Sequence, residues 1–140
     1  MSKADNVALV KRAYKAFQKG DIKAVLRTMA EDIEWDSPSI EGQPFSGFHR
    51  GKKEVEQFFQ ELGQHEEVLE FEPQEFIAEG KQVVAILRYR SRVKATGETA
   101  ETPLVHVFTI QGGKVTRFFE MFDTARAERA YRKTAAAAAG

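Results

Sequence analysis

The chain has 140 residues, with 21 Lys plus Arg against 21 Asp plus Glu and no cysteine. That length can bury one real core and is short for two domains; the balanced, scattered charge offers no basic stripe to nucleic acid, and the lack of cysteine excludes disulfides, thiolate catalysis and cysteine metal sites. The first residues mix charges into every turn, unlike the apolar core of a signal peptide, and no apolar run reaches membrane-spanning length, so a cytoplasmic protein with no membrane or nucleic-acid partner is expected.

Ser2 with Asp5 three residues on has the pattern of a capping box, and behind it Val7, Val10, Tyr14 and Phe17 recur at helical spacing. The spacing predicts an amphipathic helix with one aromatic-rich face. Gly20 suits its C-terminal cap, Asp21 caps a short second helix, and Ile22, Val25, Leu26 and Met29 give that helix its buried stripe. Ile33 to Ser37 alternates like a half-buried strand that stops at Pro38, with Ile33, Trp35 and Ser37 inward. Residues 38–51, which include His49, read as a loop of turn formers and scattered aromatics. A third helix follows Gly51, carries Val55, Phe58, Phe59 and Leu62 on one side, and is expected to end at Gly63, leaving His65 in a loop.

The rest reads as sheet. Val68 to Glu79 alternates around Phe71, with Pro73 marking an edge or a bulge. Val83, Ala85, Leu87, Tyr89, Ser91 and Val93 share one parity of a long strand, and Arg88, Arg90 and Arg92 the other. Thr96-Gly97-Glu98 turns into a strand from Thr99 to Ile110, and Gly112-Gly113 turns into a Phe-rich last strand that closes at Asp123. Ala125 to Ala139 is a terminal helix. Helices first and antiparallel hairpins afterwards indicate an α+β fold with helices on one face of a curved sheet, the strands from Lys81 to Phe122 lying adjacent in order. One domain over 1–134 is expected, with a frayed tail over 135–140, where alanines offer helix propensity but nothing to pack.

Four patterns stand in a telling order. They are Gly20-Asp21-Ile22 after an aromatic helix, the strand end Trp35-Asp36-Ser37-Pro38, Pro44-Phe45-x-Gly47 leading to Gly51 and Val55-x-x-Phe58-Phe59, and Gly113-Lys114-Val115 running to Glu120-x-x-Asp123. Together, over nearly the whole chain, they resemble the ketosteroid-isomerase-like, or SnoaL-like, branch of the NTF2-like superfamily. The resemblance implies an NTF2-like (cystatin-like) cone, in which three N-terminal helices pack on a strongly curved, mainly antiparallel sheet and enclose a deep apolar pocket. It also implies a homodimer, for which the outer sheet face with Arg88, Arg90, Arg92, Val105, Val107 and Thr109 is the expected interface.

The resemblance transfers function only in part. Where the steroid isomerases carry their general base, directly before the Pro that ends the first strand, this chain has Ser37. The position of their hydrogen-bonding acid is occupied, by register from the Gly112-Gly113 turn, by His106, and their first-helix tyrosine falls on Ala13 with Tyr14 one residue off. Steroid isomerisation by that mechanism is not expected. The Asp-Arg-Asp arrangement of related epoxide hydrolases is missing too, because Leu104 to Phe108 contains no acid.

Three candidates for chemistry remain. His106 has apolar parity neighbours, Leu104, Phe108 and Ile110, so it faces the interior as a desolvated base or donor, or as a core histidine with one partner. Glu120 shares parity with Phe118 and Phe122, and the family register turns those residues to the pocket; a carboxylate there needs a partner such as Arg88 or Arg117, or takes a raised pKa. Asp123 stands where strand meets helix, as a helix cap or, as in many SnoaL-like cyclases, a proton shuttle. Tyr14, Phe17, Trp35, Ser37, Phe45, Tyr89, Phe108 and Phe122 are the candidate lining of a cavity for a flat apolar ligand, or simply core. His49 and His65 make no two-His ligand spacing, so neither a metal nor any other cofactor is expected. Two functions fit: a cofactor-free acid–base isomerase or cyclase acting on a small apolar carbonyl compound through His106, Glu120 and Asp123, or a non-catalytic small-molecule-binding or dimerisation module.

Overall fold

Ser2 and Asp5 start the first helix reciprocally: the Asp5 N–H donates to Ser2 Oγ at 3.0 Å and the Ser2 N–H to Asp5 Oδ2 at 3.3 Å. In this computed structural model, which describes residues 2–139 and side chains through Arg132, helix α1 spans Lys3–Gln18 and buries Leu9, Val10, Ala13 and Tyr14. Gly20, at φ 76°, ends it with a Schellman cap, in which the Gly20 N–H donates to Phe17 O and the Asp21 N–H to Ala16 O, both at 2.9 Å. Asp21 caps α2 (Ile22–Arg27) by accepting from the Ala24 N–H at 3.1 Å.

Six strands follow: β1 Met29–Asp36, β2 Phe48–Arg50, β3 Glu66–Glu79, β4 Gln82–Val93, β5 Thr99–Gln111 and β6 Lys114–Met121. Helix α3 (Lys52–His65) stands between β2 and β3, and α4 (Thr124–Ala139) follows β6. The strands form one mixed sheet in the order β2-β1-β6-β5-β4-β3, parallel only between β1 and β6. The α+β class and the adjacency of β4, β5 and β6 agree with the sequence pattern. The expected domain end at residue 134 and the frayed tail fall on side chains after Arg132 and on Gly140, outside the described residues.

Several boundaries need correction. Met29 opens β1 instead of completing the second helix, because Thr28 closes α2 with its hydroxyl donating to Val25 O at 2.6 Å. The expected loop over 38–51 contains β2, three residues paired to β1 and too short to show a period. Gly63 does not end α3, since a glycine costs a helix only about 1 kcal/mol and its carbonyl here accepts from Lys94 Nζ at 2.7 Å. His65 is therefore helical and His49 lies in β2; neither is in a loop.

Register shifts between Val68 and Glu70 and between Pro73 and Glu75 break the pairing of β3 with β4, and another lies between Thr109 and Ile110 on β5. Bulges of this kind bend and twist a sheet. Pro73 thus sits at a bulge on an edge strand. Opposite it the outer face is charged: Arg88 Nε pairs with Glu70 at 3.2 Å and Arg92 with Glu67. Such exposed pairs contribute at most about 1 kcal/mol each and serve mainly to blunt the edge.

The concave face carries the core, in which Val83, Ala85 and Leu87 of β4 meet Val10, Ile33, Val55, Val115 and Phe118. Leu87 has no exposed surface, whereas Ile77 on the edge strand is 54% exposed. Leu87→Ala is expected to cost about 2–5 kcal/mol and Ile77→Ala less than about 0.5 kcal/mol, read from urea unfolding midpoints. Equal losses would show that the inner face of β4 is not the core.

Candidate functional site

Between the helices and the concave face lies a cavity of about 120 Å³, close to the ~150 Å³ apolar cavity known to take benzene. Tyr14, Phe17, Trp35, Ser37, Phe45, Tyr89, Phe108 and Phe122 all line it, with His106 and Glu120. Alternation puts them there: Trp35 on β1 and Phe118 on β6 are register partners and stack at 3.8 Å with 19° between planes, and Phe118 meets the His106 ring edge-on at 4.7 Å.

His106 and Glu120 are register partners across β5 and β6, so both side chains project from neighbouring strands into the cavity. The Tyr14 hydroxyl lies 2.8 Å from His106 Nδ1. The hydroxyl has no other acceptor among the described residues, which assigns it as the donor to Nδ1 and leaves the imidazole proton on Nε2. Nε2 has no hydrogen-bond partner among the described residues; Glu120 Oε2 stands 3.7 Å away, beyond hydrogen-bond reach. Burial lowers the His106 pKa to about 3. Burial, and secondarily the charge of Glu66, raises that of Glu120 to about 8. Near neutrality the imidazole is uncharged and the carboxyl largely protonated, so the contact joins two neutral groups and is no ion pair. Neither expected arginine reaches Glu120: Arg88 pairs with Glu70, and Arg117 with Asp36 at 3.7 Å.

A second polar group, missed in the sequence, lines the same cavity. Glu66, 7% exposed, accepts from the Tyr89 hydroxyl at 3.2 Å, from Gln43 Nε2 at 3.0 Å and from the Tyr131 hydroxyl. The bulge between Val68 and Glu70 turns Glu66 to the same side as Phe71, five residues on, against simple alternation. Tyr131 comes from α4, whose spacing of Ala127, Ala130 and Tyr131 was a readable signal. Gly42, at φ 86°, passes so close to α4 that a Cβ there would lie 3.3 Å from Tyr131 Cβ.

Asp123 is not among the lining residues. Its carboxylate caps α4 by accepting from the Arg126 N–H at 3.1 Å and pairs with the Arg126 guanidinium at 3.2 Å. His49 Nε2 bonds to Phe45 O at 2.8 Å, and His65 stacks on Phe45. Among the described residues no three His, Asp or Glu side chains come together to hold a metal ion, and no helix is long and apolar enough to cross a membrane.

The two shifted groups oppose each other in their effect on stability. The raised Glu120 pKa stabilises the fold fully below the unfolded value of 4.5 and loses that contribution as pH rises through about 8. The lowered His106 pKa contributes fully above 6.5 and loses its contribution as pH falls through about 3. Their sum is a maximum between about pH 4.5 and 6.5. In Glu120→Gln the decline between pH 6.5 and 8 should flatten, followed by urea unfolding at each pH; an unchanged decline would place its origin elsewhere.

A profile of the SnoaL-like domain family matches residues 10–118. No protein of curated function matches the sequence. Among solved structures, an NTF2-like protein from Burkholderia xenovorans LB400 is 35% identical with a TM-score of 0.85, over 94% of this chain and 98% of that one. An NTF2-like protein of unknown function from Burkholderia pseudomallei K96243 is 30% identical at a TM-score of 0.81, again over 94% and 98%. TerC, co-crystallised with polyporic acid, is 26% identical at 0.79, over 91% and 98%. With the profile matching most of its length, the chain belongs to the SnoaL-like family, and it has the NTF2-like fold.

Proposed function

We propose that this protein is a cofactor-free acid–base enzyme, an isomerase or cyclase acting on a small apolar carbonyl compound. The observation that carries the reading is the facing of the His106 Nε2 and Glu120 Oε2 atoms at 3.7 Å inside an aromatic cavity. A ligand carbonyl oxygen accepts from the His106 N–H. The adjacent α-carbon then lies against Glu120, whose carboxylate takes the α-proton while the C–H electron pair moves to the oxygen as an enolate. The His106 N–H stabilises that oxyanion, held in place by Tyr14, and Glu120 returns the proton to carbon. A base titrating near the working pH suits proton transfer best, and the carboxyl of Glu120, raised to about 8, fits that requirement. The co-crystallisation of the similar TerC with polyporic acid supports an organic compound as the ligand class.

The reading is tested by following α-proton exchange of α-tetralone in D2O by NMR. The rate should rise with pH through about 8 and then level off, as Glu120 ionises. Glu120→Gln and His106→Ala should each lower it roughly tenfold to a thousandfold, while Asp123→Asn and His65→Ala leave it unchanged. Saturable binding with no acceleration would overturn catalysis in favour of a ligand-binding module.

We further propose that two copies pair through the outer sheet face. There Val105 lies opposite Met121 and Val107 opposite Phe119, forming an apolar strip in which Met121 is 51% exposed, bordered by Arg88, Arg90 and Arg92. Light scattering at micromolar concentration should give twice the 15.8 kDa chain mass, and Val107→Glu with Met121→Glu should halve it. A monomeric wild type counts against the pairing.

A further inference from the structure

Two carboxyl groups face one small aromatic cavity, and they are treated very differently. Three donors from three separate elements converge on Glu66: Gln43 from the loop before β2, Tyr89 from β4 and Tyr131 from α4. No hydrogen bond reaches Glu120 among the described residues, and His106 Nε2 stands 3.7 Å from its Oε2. We propose that Glu66 is a positioning residue that acts through charge, fixing when Glu120 releases its proton by holding a solvated anion in the same dry space.

The inference rests on the reading of Glu120 as the proton-transfer base and says what tunes that base. In a poorly screened cavity two carboxylates do not ionise independently, and the charge settles on the better-solvated one. Hydrogen bonds from Tyr89, Gln43 and Tyr131 supply that solvation to Glu66. The charge of Glu66 is then a standing cost to ionising Glu120, in line with its second place after burial among the causes that raise Glu120. The titratable side chains lining the cavity with Glu120 are His106 from β5, Tyr14 from α1, Tyr89 from β4, Tyr131 from α4 and Glu66 from β3; α2, α3 and β1 contribute none. The tyrosines and the imidazole are neutral across the working range. Among the described residues, Glu66 is therefore the one charged lining group that acts on Glu120.

The competing role for Glu66 is mechanical, as a staple holding α4 and the loop before β2 over the cavity. Carbon-13 NMR of the carboxyl groups of labelled glutamates, with Glu120 assigned by Glu120→Gln, separates the two. In Glu66→Gln, which keeps the shape but not the charge, the Glu120 midpoint should fall by about one pH unit; Glu66→Asp, which keeps the charge, should hold it near the wild-type value. If Glu66→Gln does not fold, Glu66→Leu combined with Tyr89→Phe and Tyr131→Phe removes the charge without orphaning the tyrosine donors, and the same fall is expected. An unchanged Glu120 midpoint in either charge-free variant, whatever happens to the melting temperature, overturns the proposal. The NMR titration needs no turnover. A shifted midpoint without any α-proton exchange would sink the catalytic reading and leave this one standing, whereas with exchange intact the rate at pH 7 should rise about fivefold in Glu66→Gln as more Glu120 is ionised.

Discussion

The hydrogen bond from the Tyr14 hydroxyl to His106 Nδ1 joins residues 92 positions apart and ties the first helix to the middle of the sheet. A buried imidazole must satisfy at least one nitrogen, and a buried tyrosine must place its proton. Each solves the other's requirement, and the solution fixes the imidazole's orientation and tautomer together. The aromatic walls make this bond consequential: Phe118 and Phe108 pack against the His106 ring, Phe71 and Phe76 against Tyr14, and both side chains are buried. In that dry setting a proton on the imidazole or a charge on Glu120 has little to solvate it. The protonation states of the site follow from packing before any ligand arrives.

How much of this could be read in the sequence depends on where alternation stays unbroken. From Gln82 to Arg92 β4 pairs with β5 without a register shift, so the parity that turns Leu87 and Tyr89 inward also placed His106, whereas Glu120 comes opposite it only because the register of β6 shifts by one residue between Val115 and Arg117, after the turn at Gly112-Gly113. The same logic fails on β3. Two bulges change its parity, so Glu66, Phe71 and Phe76, five apart each time, share the inner side. A propensity pattern gives no warning of a bulge except a proline, and Pro73 flags only the second. The loop before β2 hid its contribution because Gln43 belongs to no periodic segment. Alanine masked α4: its small side chains gave little contrast to mark a face, so the spacing of Ala127, Ala130 and Tyr131, legible in itself, drew no reading.

Asp123 shows the opposite case: of the two roles its position offered, helix cap and proton shuttle, the structure supplies a sufficient local reason for the first. A strand-to-helix junction needs an N-cap, and an acid three residues before the Arg126 N–H meets that need. Once the carboxylate is also paired with the Arg126 guanidinium, little of it remains to act elsewhere. Glu120, three residues earlier, has no such local obligation. Its side chain faces an apolar cavity with neither cap nor cation among the described residues, and this missing local role makes a burial that costs stability worth explaining by function.

The absence of an acid before Pro38 takes on a different meaning once the strands are aligned in space. β1 and β6 run parallel, with Trp35 beside Phe118 and Asp36 beside Phe119. Continued by one residue, that register sets Ser37 beside Glu120, and both line the cavity. In the isomerases that the chain resembles, the base stands at the Ser37 position. On the proposed reading this chain keeps a carboxylate at nearly the same point of the cavity and supplies it from the neighbouring strand. A comparison made position by position along the chain sees a loss at residue 37; the register between two parallel strands shows where an equivalent group can come from.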